Sequence, residues 1–408
     1  MKIKIKTFFK KSIPGFITGA ADNDPSGITT YSVSGALFGF SQLWIVLLAT
    51  PMLIAMQSTC ARIANVTRKG LAEVLQTRYS RTVAWIATAI LIISNVATIG
   101  ADILAVAFAL EILTHVALSW WLLPVAGSVL YLVIFKNYRA IRKFLLLMII
   151  FFLSYYLAAF LAKPDWTEVL RGLFVPSLSL FDQKFFAAAL AILGTTITPY
   201  LFFWEAKEEL EEHRSSAEAK SEAKHEDRVN APGLIFSQLT TVFIIIATGA
   251  TLHASGQGIS SAIDAARALA PIAGNLASAL FAVGIIGAGL LALPVLTITT
   301  AETVAEMLGF KHHRLDNKPK VAKQFYLVVA LSLLAGVLLL LVGLDPLRAL
   351  YYSQILAGLI SPVLIVFILL AANDKTVMGQ NRNSGFDNIF GSLAAIVMVL
   401  AAVFMFTS

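Results

Sequence analysis

Residues 20–27 of the chain read AADNDPSG and lie inside an apolar segment that runs from about residue 13 to residue 39. Such a segment is typical of a transmembrane helix, and a charge in mid-membrane costs about 2.5–3.5 kcal/mol. Pro25 lacks an N–H and Gly27 accepts unusual backbone angles, so we expect the helix to unwind here and leave carbonyl oxygens free. Broken backbone at membrane depth is tolerated only inside protein or beside a watery cavity. Asp24 is therefore a candidate cation ligand, with a plain proline kink and capping aspartates as the alternative.

A second apolar segment, about residues 185–204, is interrupted in a similar way by residues 194–200, which read GTTITPY. It is the sixth apolar segment of the chain, five after the first. Two broken segments at this separation are typical of two five-helix inverted repeats, whose discontinuous helices meet at a substrate site near the membrane midplane. Because proline kinks are common in membrane helices, the pairing of the two breaks carries the argument. The carboxylate of Asp24 indicates that the substrate is a cation.

Eleven apolar segments are long enough to cross about 30 Å of hydrocarbon. They lie near residues 13–39, 41–64, 83–113, 119–135, 142–162, 185–204, 233–254, 276–306, 323–343, 346–371 and 387–406. Of the 31 lysines and arginines, 26 fall in the N-terminus and in the loops on its side, which places the N-terminus in the cytoplasm and the C-terminus outside. We expect one transmembrane domain, residues 1–408, with repeats at about 13–162 and 185–371 and an extra helix at about 387–406.

Composition supports a membrane protein, since 58% of the residues are hydrophobic and only 13% are charged. The net charge of +7 resides in short loops, which indicates contact with a membrane surface rather than with nucleic acid. The single cysteine, Cys60, excludes an internal disulfide and a thiolate metal cluster within one chain. The lysine-rich start has no cleavage pattern, so we expect the N-terminus to be retained.

One long hydrophilic stretch, about residues 205–231, is predicted to be a cytoplasmic loop that begins with a helical extension. Its acidic residues are predicted to form a solvated helix face, with collection of cations at the inner mouth as the alternative. These residues are Glu208, Glu209, Glu211 and Glu212.

With these motifs the sequence resembles the Nramp family of divalent-metal transporters over essentially the whole chain. Residues 24–27 are similar to the family's Asp-Pro-Gly-Asn, and residues 194–200 to its Gly-Thr-Thr-Val-Met-Pro-His. Residues 70–74, which read GLAEV, and Ser353-Gln354 with Pro362 add to the similarity. The resemblance implies an all-α integral membrane protein of the LeuT-like fold, with a 5+5 inverted repeat, discontinuous helices one and six, and an eleventh helix.

By resemblance, the metal ligands are Asp24, the carbonyl of Thr195 and the residue at position 198, with Gln354 facing the metal from the tenth helix. Gly27 and Thr198 stand where the family has asparagine and methionine. Without the soft thioether, the remaining oxygen ligands suit magnesium, calcium and manganese. The smaller side chains predict a wider cavity, and magnesium retains several waters, so the site resembles that of the Nramp-related magnesium transporters. The Gln354 amide binds a hydration water or makes a plain interhelical hydrogen bond.

Proton coupling is predicted to be absent. The family's histidine position is occupied by Tyr200, which keeps its proton near neutral pH, and the family's two acids in the third span fall at Ile99 and Asp102. Asp102 is a candidate for a proton path, or it is tied to a neighbouring helix by hydrogen bonds. Glu205, which ends the sixth span, is a candidate for a gating path or a surface acid.

Five further residues are candidates for the cavity wall around the metal: Asp22, Asn23, Ser26, Gly27 and Tyr200. Asp22 and Asn23 flank the main ligand and are placed to hold waters. Capping of the second half-helix is the alternative role of Asp22. Glu302 and Glu306 are expected to pair with basic residues.

The leading hypothesis for function is a secondary carrier of divalent metal cations, Mg²⁺ or Mn²⁺, that works by alternating access without a cofactor. The alternatives are a proton-coupled manganese or transition-metal symporter, a sodium-coupled symporter of small solutes on the same fold, and a membrane enzyme or receptor. No cluster of His, Cys or Ser with spaced acids supports catalysis. We expect divalent metal ions and the lipid bilayer of a bacterial cytoplasmic membrane as partners, no nucleic acid, and a monomer.

Overall fold

The computed structural model describes residues 13–135, 152–177, 182–211, 226–256, 274, 277–310, 321–340, 343 and 345–407. Within these ranges all regular structure is helical. The α-helices in chain order are α1 Ile13–Ala21, α2 Pro25–Phe38, α3 Leu43–Thr67, α4 Leu71–Arg78, α5 Arg81–Thr114, α6 Leu122–Phe135, α7 Phe152–Leu161, α8 Trp166–Phe174, α9 Gln183–Thr196, α10 Pro199–Glu211, α11 Glu226–Thr248, α12 Ala277–Leu308, α13 Lys323–Leu339, α14 Pro346–Asn373, α15 Lys375–Met378 and α16 Gly385–Thr407.

Each predicted span has a helix at its place. Eight stretches of helix in the described residues are long and apolar enough to cross a membrane, and α9 with α10 count as one of them. The first span is divided into α1 and α2, while the fifth and ninth are represented by the shorter apolar helices α7 and α13. Residues 142–151 of the predicted fifth span lie outside the described residues. The boundaries of the two repeats stay predictions.

The half-helix α2 lies at the centre of the molecule. It contacts α5, α9, α11 and α14, while α1 packs mainly on α11. The first twelve of the fourteen residues of α2, Pro25–Ala36, are all buried. A half-helix that is buried on every side is shielded from lipid, which is the condition under which its polar first turn is tolerated.

A buried ion pair ties the last helix to the body of the protein. Arg62 of α3 donates to Asp387 of α16, and the two side chains are 6% and 0% exposed. Arg62 also donates to Asn383 Oδ1 at 3.1 Å. Removal of one partner from such a pair leaves a buried charge uncompensated, so this contact fixes the position of α16 on α3.

The predicted solvated acidic face is wrong. Helix α10 continues to Glu211, in agreement with the predicted helical extension, but Glu208 and Glu209 are only 1% and 0% exposed. Trp204 Nε1 donates to Glu208 Oε2 at 3.1 Å, and Asn65 Nδ2 donates to Glu209 Oε2 at 2.8 Å. Donors from neighbouring helices compensate for the loss of water, which is how these carboxylates are accommodated in the interior. Glu212 lies outside the described residues.

Candidate metal site between two broken helices

The first break is dictated by Asp24 and Pro25. Helix α1 ends at Ala21, and Asp24 has the extended backbone angles φ −69° and ψ 170° that a residue before proline prefers. Pro25 then occupies the first turn of α2, where its missing N–H costs nothing. The Asp24 Oδ1 atom accepts a hydrogen bond from the N–H of Gly27. The carboxylate therefore lies at the positive end of the α2 dipole, with its backbone held outside any helix.

The second break follows the same logic. Helix α9 ends at Thr196, Ile197 leaves the helical region with φ −109° and ψ 60°, and Pro199 begins α10. The Thr198 hydroxyl donates to the carbonyl oxygen of Thr195, and Ser361 of α14 donates to the carbonyl oxygen of Ile197 at 3.1 Å. The carbonyls freed by the break are thus engaged by hydroxyl groups, which are partners that an incoming cation can displace.

The two breaks touch each other at Gly27. A Cβ atom added at Gly27 would lie 2.7 Å from Thr195 Oγ1 and 3.1 Å from both Asp24 Oδ1 and the carbonyl oxygen of Asp22. The prediction that Gly27 widens the cavity is therefore wrong. A residue without a side chain lets the two segments approach, and the volume that a larger side chain would occupy is filled by backbone and by Thr195.

Helix α14 completes the enclosure. A Cβ added at Gly194 would lie 2.1 Å from the carbonyl oxygen of Gln354, so α9 and α14 are in backbone contact at the height of the second break. The amide nitrogen of Gln354 donates to Ser353 Oγ at 3.3 Å, a bond within α14 itself. The predicted alternative of an interhelical hydrogen bond is thus not what this amide makes, and Gln354 Oε1 has no protein partner among the described residues.

Asp102 of α5 binds the first turn of α2, next to the first break. Its Oδ1 atom accepts from the Ser26 hydroxyl at 2.6 Å and from the Ser26 N–H at 3.2 Å. Ser353 Oγ lies 3.5 Å from Ser26 Oγ, so this first-turn serine of α2 connects α5 with α14. The predicted tie between Asp102 and a neighbouring helix is confirmed, and its second oxygen, Oδ2, accepts no hydrogen bond from the described residues.

The atoms left unpartnered in this region are all oxygens. Among the described residues that reach the two breaks from α5 and α14, they are Asp102 Oδ2 and Gln354 Oε1. Buried acceptors without donors suit a cation. In the same ranges no three side chains of His, Cys, Asp or Glu come together. The atoms available as metal ligands are thus carboxylate, amide, hydroxyl and carbonyl oxygens, which are the ligands that hard cations prefer.

The site is enclosed on all sides. Asp24, Thr195, Thr198 and Gln354 are at most 2% exposed. A cavity of about 730 Å³ on the predicted outer side, near His253, is lined by none of these four residues. The structure therefore holds the predicted ligand positions closed to solvent.

Residues 15–408 match the sequence model of the natural resistance-associated macrophage protein-like family, Nramp. This chain belongs to the Nramp family. It is similar to proteins named divalent metal cation transporter MntH, with 25% identity to that of Caldanaerobacter subterraneus subsp. tengcongensis over 99% of this chain and 94% of that protein. The MntH of Bacillus subtilis is also 25% identical, over 96% of this chain and 90% of that protein. The family resemblance drawn from the two motifs is confirmed.

Solved structures place the Nramp chain in the predicted fold. The crystal structure of the Eremococcus coleocola manganese transporter is similar with a TM-score of 0.79 and 20% identity, over 97% of this chain and 86% of that one. A nucleobase-cation-symport-1 family transporter in a closed conformation gives a TM-score of 0.63 and 15% identity, over 97% and 92% of the two chains. The LeuT-like architecture with discontinuous first and sixth helices is confirmed.

Tyr200 occupies the family's histidine position and makes a structural contact there. Its hydroxyl donates to the carbonyl oxygen of Ala21 at 2.8 Å, and the side chain is 1% exposed. Ala21 is the last residue of α1, so its carbonyl has no partner within that helix. Tyr200 therefore links the end of α1 to the start of α10, and it lies beside the first break as predicted.

Asp22 does not cap the second half-helix, because Asp24 does so. The Asp22 Oδ2 atom instead accepts hydrogen bonds from Ser237 Oγ at 2.8 Å and from Gln238 Nε2 at 3.1 Å, both on α11. Asn23 Nδ2 donates to the same Ser237 hydroxyl at 2.8 Å. Sequence reasoning missed Ser237 and Gln238, although two consecutive polar residues within the apolar seventh segment were an available signal.

The contact that closes the predicted cytoplasmic side joins α1 to α10. Thr18 Oγ1 donates to Glu205 Oε2 at 2.6 Å, and both residues are fully buried. The interpretation of Glu205 as a surface acid is wrong, because α10 is covered by its neighbours beyond this point. Two residues further along, Lys207 pairs with Glu306 of α12 at 3.2 Å, which confirms the pairing predicted for Glu306.

Proposed function

We propose that this Nramp protein is a secondary carrier that moves divalent metal cations across the membrane. The ion is held between the broken helices by Asp24, the carbonyl of Thr195, the hydroxyl of Thr198 and the amide oxygen of Gln354. The observation that carries the proposal is the enclosure of one carboxylate and unpartnered oxygens where the two breaks meet. The names of the MntH relatives support a divalent cation as the cargo.

The proposed ligands Thr195 and Thr198 are hydrogen-bonded to each other before the ion binds. The Thr198 hydroxyl donates to the Thr195 carbonyl in the closed structure, so a bound cation takes over that carbonyl while Thr198 turns its own oxygen toward the ion. Waters carried by the ion satisfy Asp102 Oδ2, the unpartnered oxygen on α5. Release toward the cytoplasm requires the contact between Thr18 and Glu205 to open. The site then faces one side of the membrane at a time.

Magnesium is the cargo that the ligand set favours. Thr198 offers a hydroxyl where the family's motif has a thioether, and magnesium is held by one or two carboxylates together with retained waters. We expect Mg²⁺ and Mn²⁺ to compete for uptake into proteoliposomes within about tenfold of each other, a difference of about 1.4 kcal/mol. Thr198→Met is the matched variant, and it should shift the preference toward Mn²⁺. A wild-type preference for Mn²⁺ of about a hundredfold or more at equal concentrations would contradict the proposal.

Transport is proposed to be driven by the membrane potential without protons. An inward-negative potential of 100 mV favours entry of a divalent cation by about 4.6 kcal/mol, at about 2.3 kcal/mol for each charge. Tyr200 is engaged with the Ala21 carbonyl, and Asp102 is held by Ser26. We therefore expect Mg²⁺ influx to leave the lumen of vesicles that contain a pH dye at constant pH, and valinomycin-imposed negative potentials to accelerate it.

The competing mechanism is a proton-coupled symporter that uses Asp102. It is favoured by one observation, the unpartnered and buried Asp102 Oδ2. The variant Asp102→Asn keeps an oxygen for the Ser26 donors and removes the titratable group. Metal-dependent acidification of the lumen that disappears in Asp102→Asn, while uptake itself persists, would show that the chain moves protons and that our uncoupled mechanism is wrong.

A further inference from the structure

A second group of polar side chains lies between the first break and α11. Ser237 Oγ and Gln238 Nε2 both donate to Asp22 Oδ2, at 2.8 and 3.1 Å. Asn23 Nδ2 donates to Ser237 Oγ at 2.8 Å and to the carbonyl oxygen of Gly19 at 3.3 Å. The side-chain donors of Asn23 and Gln238 are thus used within the group or on the adjacent backbone.

Each of the three larger members has one oxygen left over. Asp22 Oδ1, Asn23 Oδ1 and Gln238 Oε1 accept no hydrogen bond from the described residues. The three residues are 1%, 0% and 3% exposed. Hydrogen bonds join the three residues in one connected cluster, because Asn23 donates to Ser237, and Ser237 and Gln238 both donate to Asp22. An oxygen-only set of this kind, buried and without donors, is chemically complementary to a cation.

This cluster is distinct from the proposed metal site. The Asp22 carboxylate is bound by α11, whereas the Asp24 carboxylate is bound by the N–H of Gly27 at the start of α2. The backbone runs between them through Asn23. Two acids separated by one residue thus have their carboxylates bound by different helices, in the segment between the end of α1 and the start of α2.

The charge of the cluster indicates the valence of the ion. The donors that reach Asp22 are a hydroxyl and an amide, which are both neutral, and the buried ion pairs found in the described parts of the chain use other acids. A buried carboxylate without a positive partner is costly. One monovalent cation balances the charge of Asp22 and leaves the charge of Asp24, two residues further on, for the carried metal ion.

We propose that Asp22, Asn23 and Gln238 form a second cation site, which binds one dehydrated Na⁺ ion between the first break and α11. The site does not depend on which divalent cation is carried, nor on whether protons are coupled. By filling the space between α1, α2 and α11 with a charge-balanced ion, it stabilises the closed arrangement of the first broken helix.

The test is Na⁺ binding to the purified full-length protein in detergent, measured with ²²Na⁺ against a choline chloride background and in parallel by thermal unfolding. Wild type should bind one Na⁺ per chain, and saturating NaCl should raise Tm by about 3 °C or more over choline. Gln238→Met removes one leftover oxygen together with the amide donor to Asp22, and should weaken binding at least tenfold. Gln238→Lys places an ammonium group beside Asp22 and should abolish Na⁺ binding while the Tm in choline rises toward the Na⁺-bound value.

The control variant is Asp24→Asn. It should lose the Mg²⁺-dependent thermal shift and keep the Na⁺-dependent one, so that failure of the metal site and failure of the sodium site are told apart in the same samples. Absence of Na⁺ binding to wild type would overturn the proposal, since no sodium ion then balances the charge of Asp22. Na⁺ binding that survives in Gln238→Lys but disappears in Asp24→Asn would also overturn it, because Na⁺ then occupies the metal site.

Discussion

Replacement of Asp24 by alanine is expected to reduce metal uptake to the level of empty vesicles, a loss of at least about a hundredfold, or about 2.7 kcal/mol of binding. Asp24 is the one proposed ligand that carries a formal charge, since the Thr195 carbonyl, the Thr198 hydroxyl and the Gln354 amide are neutral dipoles. Water in a hydrated site can replace a lost dipole in part, but it cannot replace a negative charge held in a buried position. Uptake of Mg²⁺ into proteoliposomes measures the effect.

Asp24 has a second role that has to be separated from the first. Its Oδ1 atom caps α2 by accepting from the N–H of Gly27, and loss of such a cap costs about 0.5–2 kcal/mol of stability. The matched variant is Asp24→Asn, which keeps an oxygen for the cap and removes the charge. We expect Asp24→Asn to elute as a monodisperse peak with near wild-type Tm and to transport as poorly as Asp24→Ala.

A comparison with Thr198→Ala tests the ranking of the ligands. That variant loses a hydroxyl and frees the Thr195 carbonyl from its hydrogen bond, so uptake should fall by less than about tenfold. If Asp24→Asn transports at near wild-type rate while folded and inserted, the charge is not needed and the metal binds elsewhere.

The positions of the breaks were readable from sequence because they are local. Pro25 and Pro199 each lack a backbone N–H and disfavour helical backbone in the preceding residue, and both effects act within two residues of the proline. The number of spans was also readable, since span length depends only on apolar composition and membrane thickness. These features need no knowledge of which helix lies beside which.

The hydrogen-bond partners of the polar side chains could not be predicted from the sequence, because they come from distant parts of the chain. Asp22 is bound by residues 215 and 216 positions further along, and Thr18 donates to a residue 187 positions away. Local pattern identified Asp22 as unusual but gave two roles for it, of which capping proved wrong. The prediction of a solvated face for the acidic stretch after residue 204 was wrong for the same reason. Its composition is typical of a solvated helix, and only the covering helices make it buried.

The error at Gly27 has a different physical cause. The prediction assumed that the volume freed by a missing side chain adds to the cavity. In a membrane protein, a missing side chain more often allows two backbones to approach closely. The Thr195 hydroxyl lies 2.7 Å from the position of a Cβ at residue 27, which is closer than van der Waals contact. The absence of a side chain at residue 27 is thus a requirement of this packing.

Gly27→Ala is accordingly expected to reduce uptake by about tenfold or more, equivalent to about 1.4 kcal/mol at the site. The added Cβ would lie 2.7 Å from Thr195 Oγ1, and it would approach Asp24 Oδ1 and the Asp22 carbonyl at 3.1 Å. It pushes the second break away from the first and separates the ligands. Gly27→Asn, which restores the residue of the family motif, should be at least as damaging and should not by itself produce a manganese preference.

The variant Thr195→Ala tests whether contact between residues 27 and 195 causes the loss of uptake in Gly27→Ala. Thr195 contributes its carbonyl to the proposed site, so Thr195→Ala keeps that ligand and removes the hydroxyl that a Cβ at residue 27 would meet. Gly27→Ala combined with Thr195→Ala should therefore recover most of the uptake lost in Gly27→Ala, a coupling that independent sites would not show. Gly284→Ala on α12, where an added Cβ meets nothing within 4 Å, is the control and should transport like wild type. Full activity of Gly27→Ala, or an equal loss in Gly27→Ala and in the double variant, would show that contact between residues 27 and 195 does not set the geometry of the site.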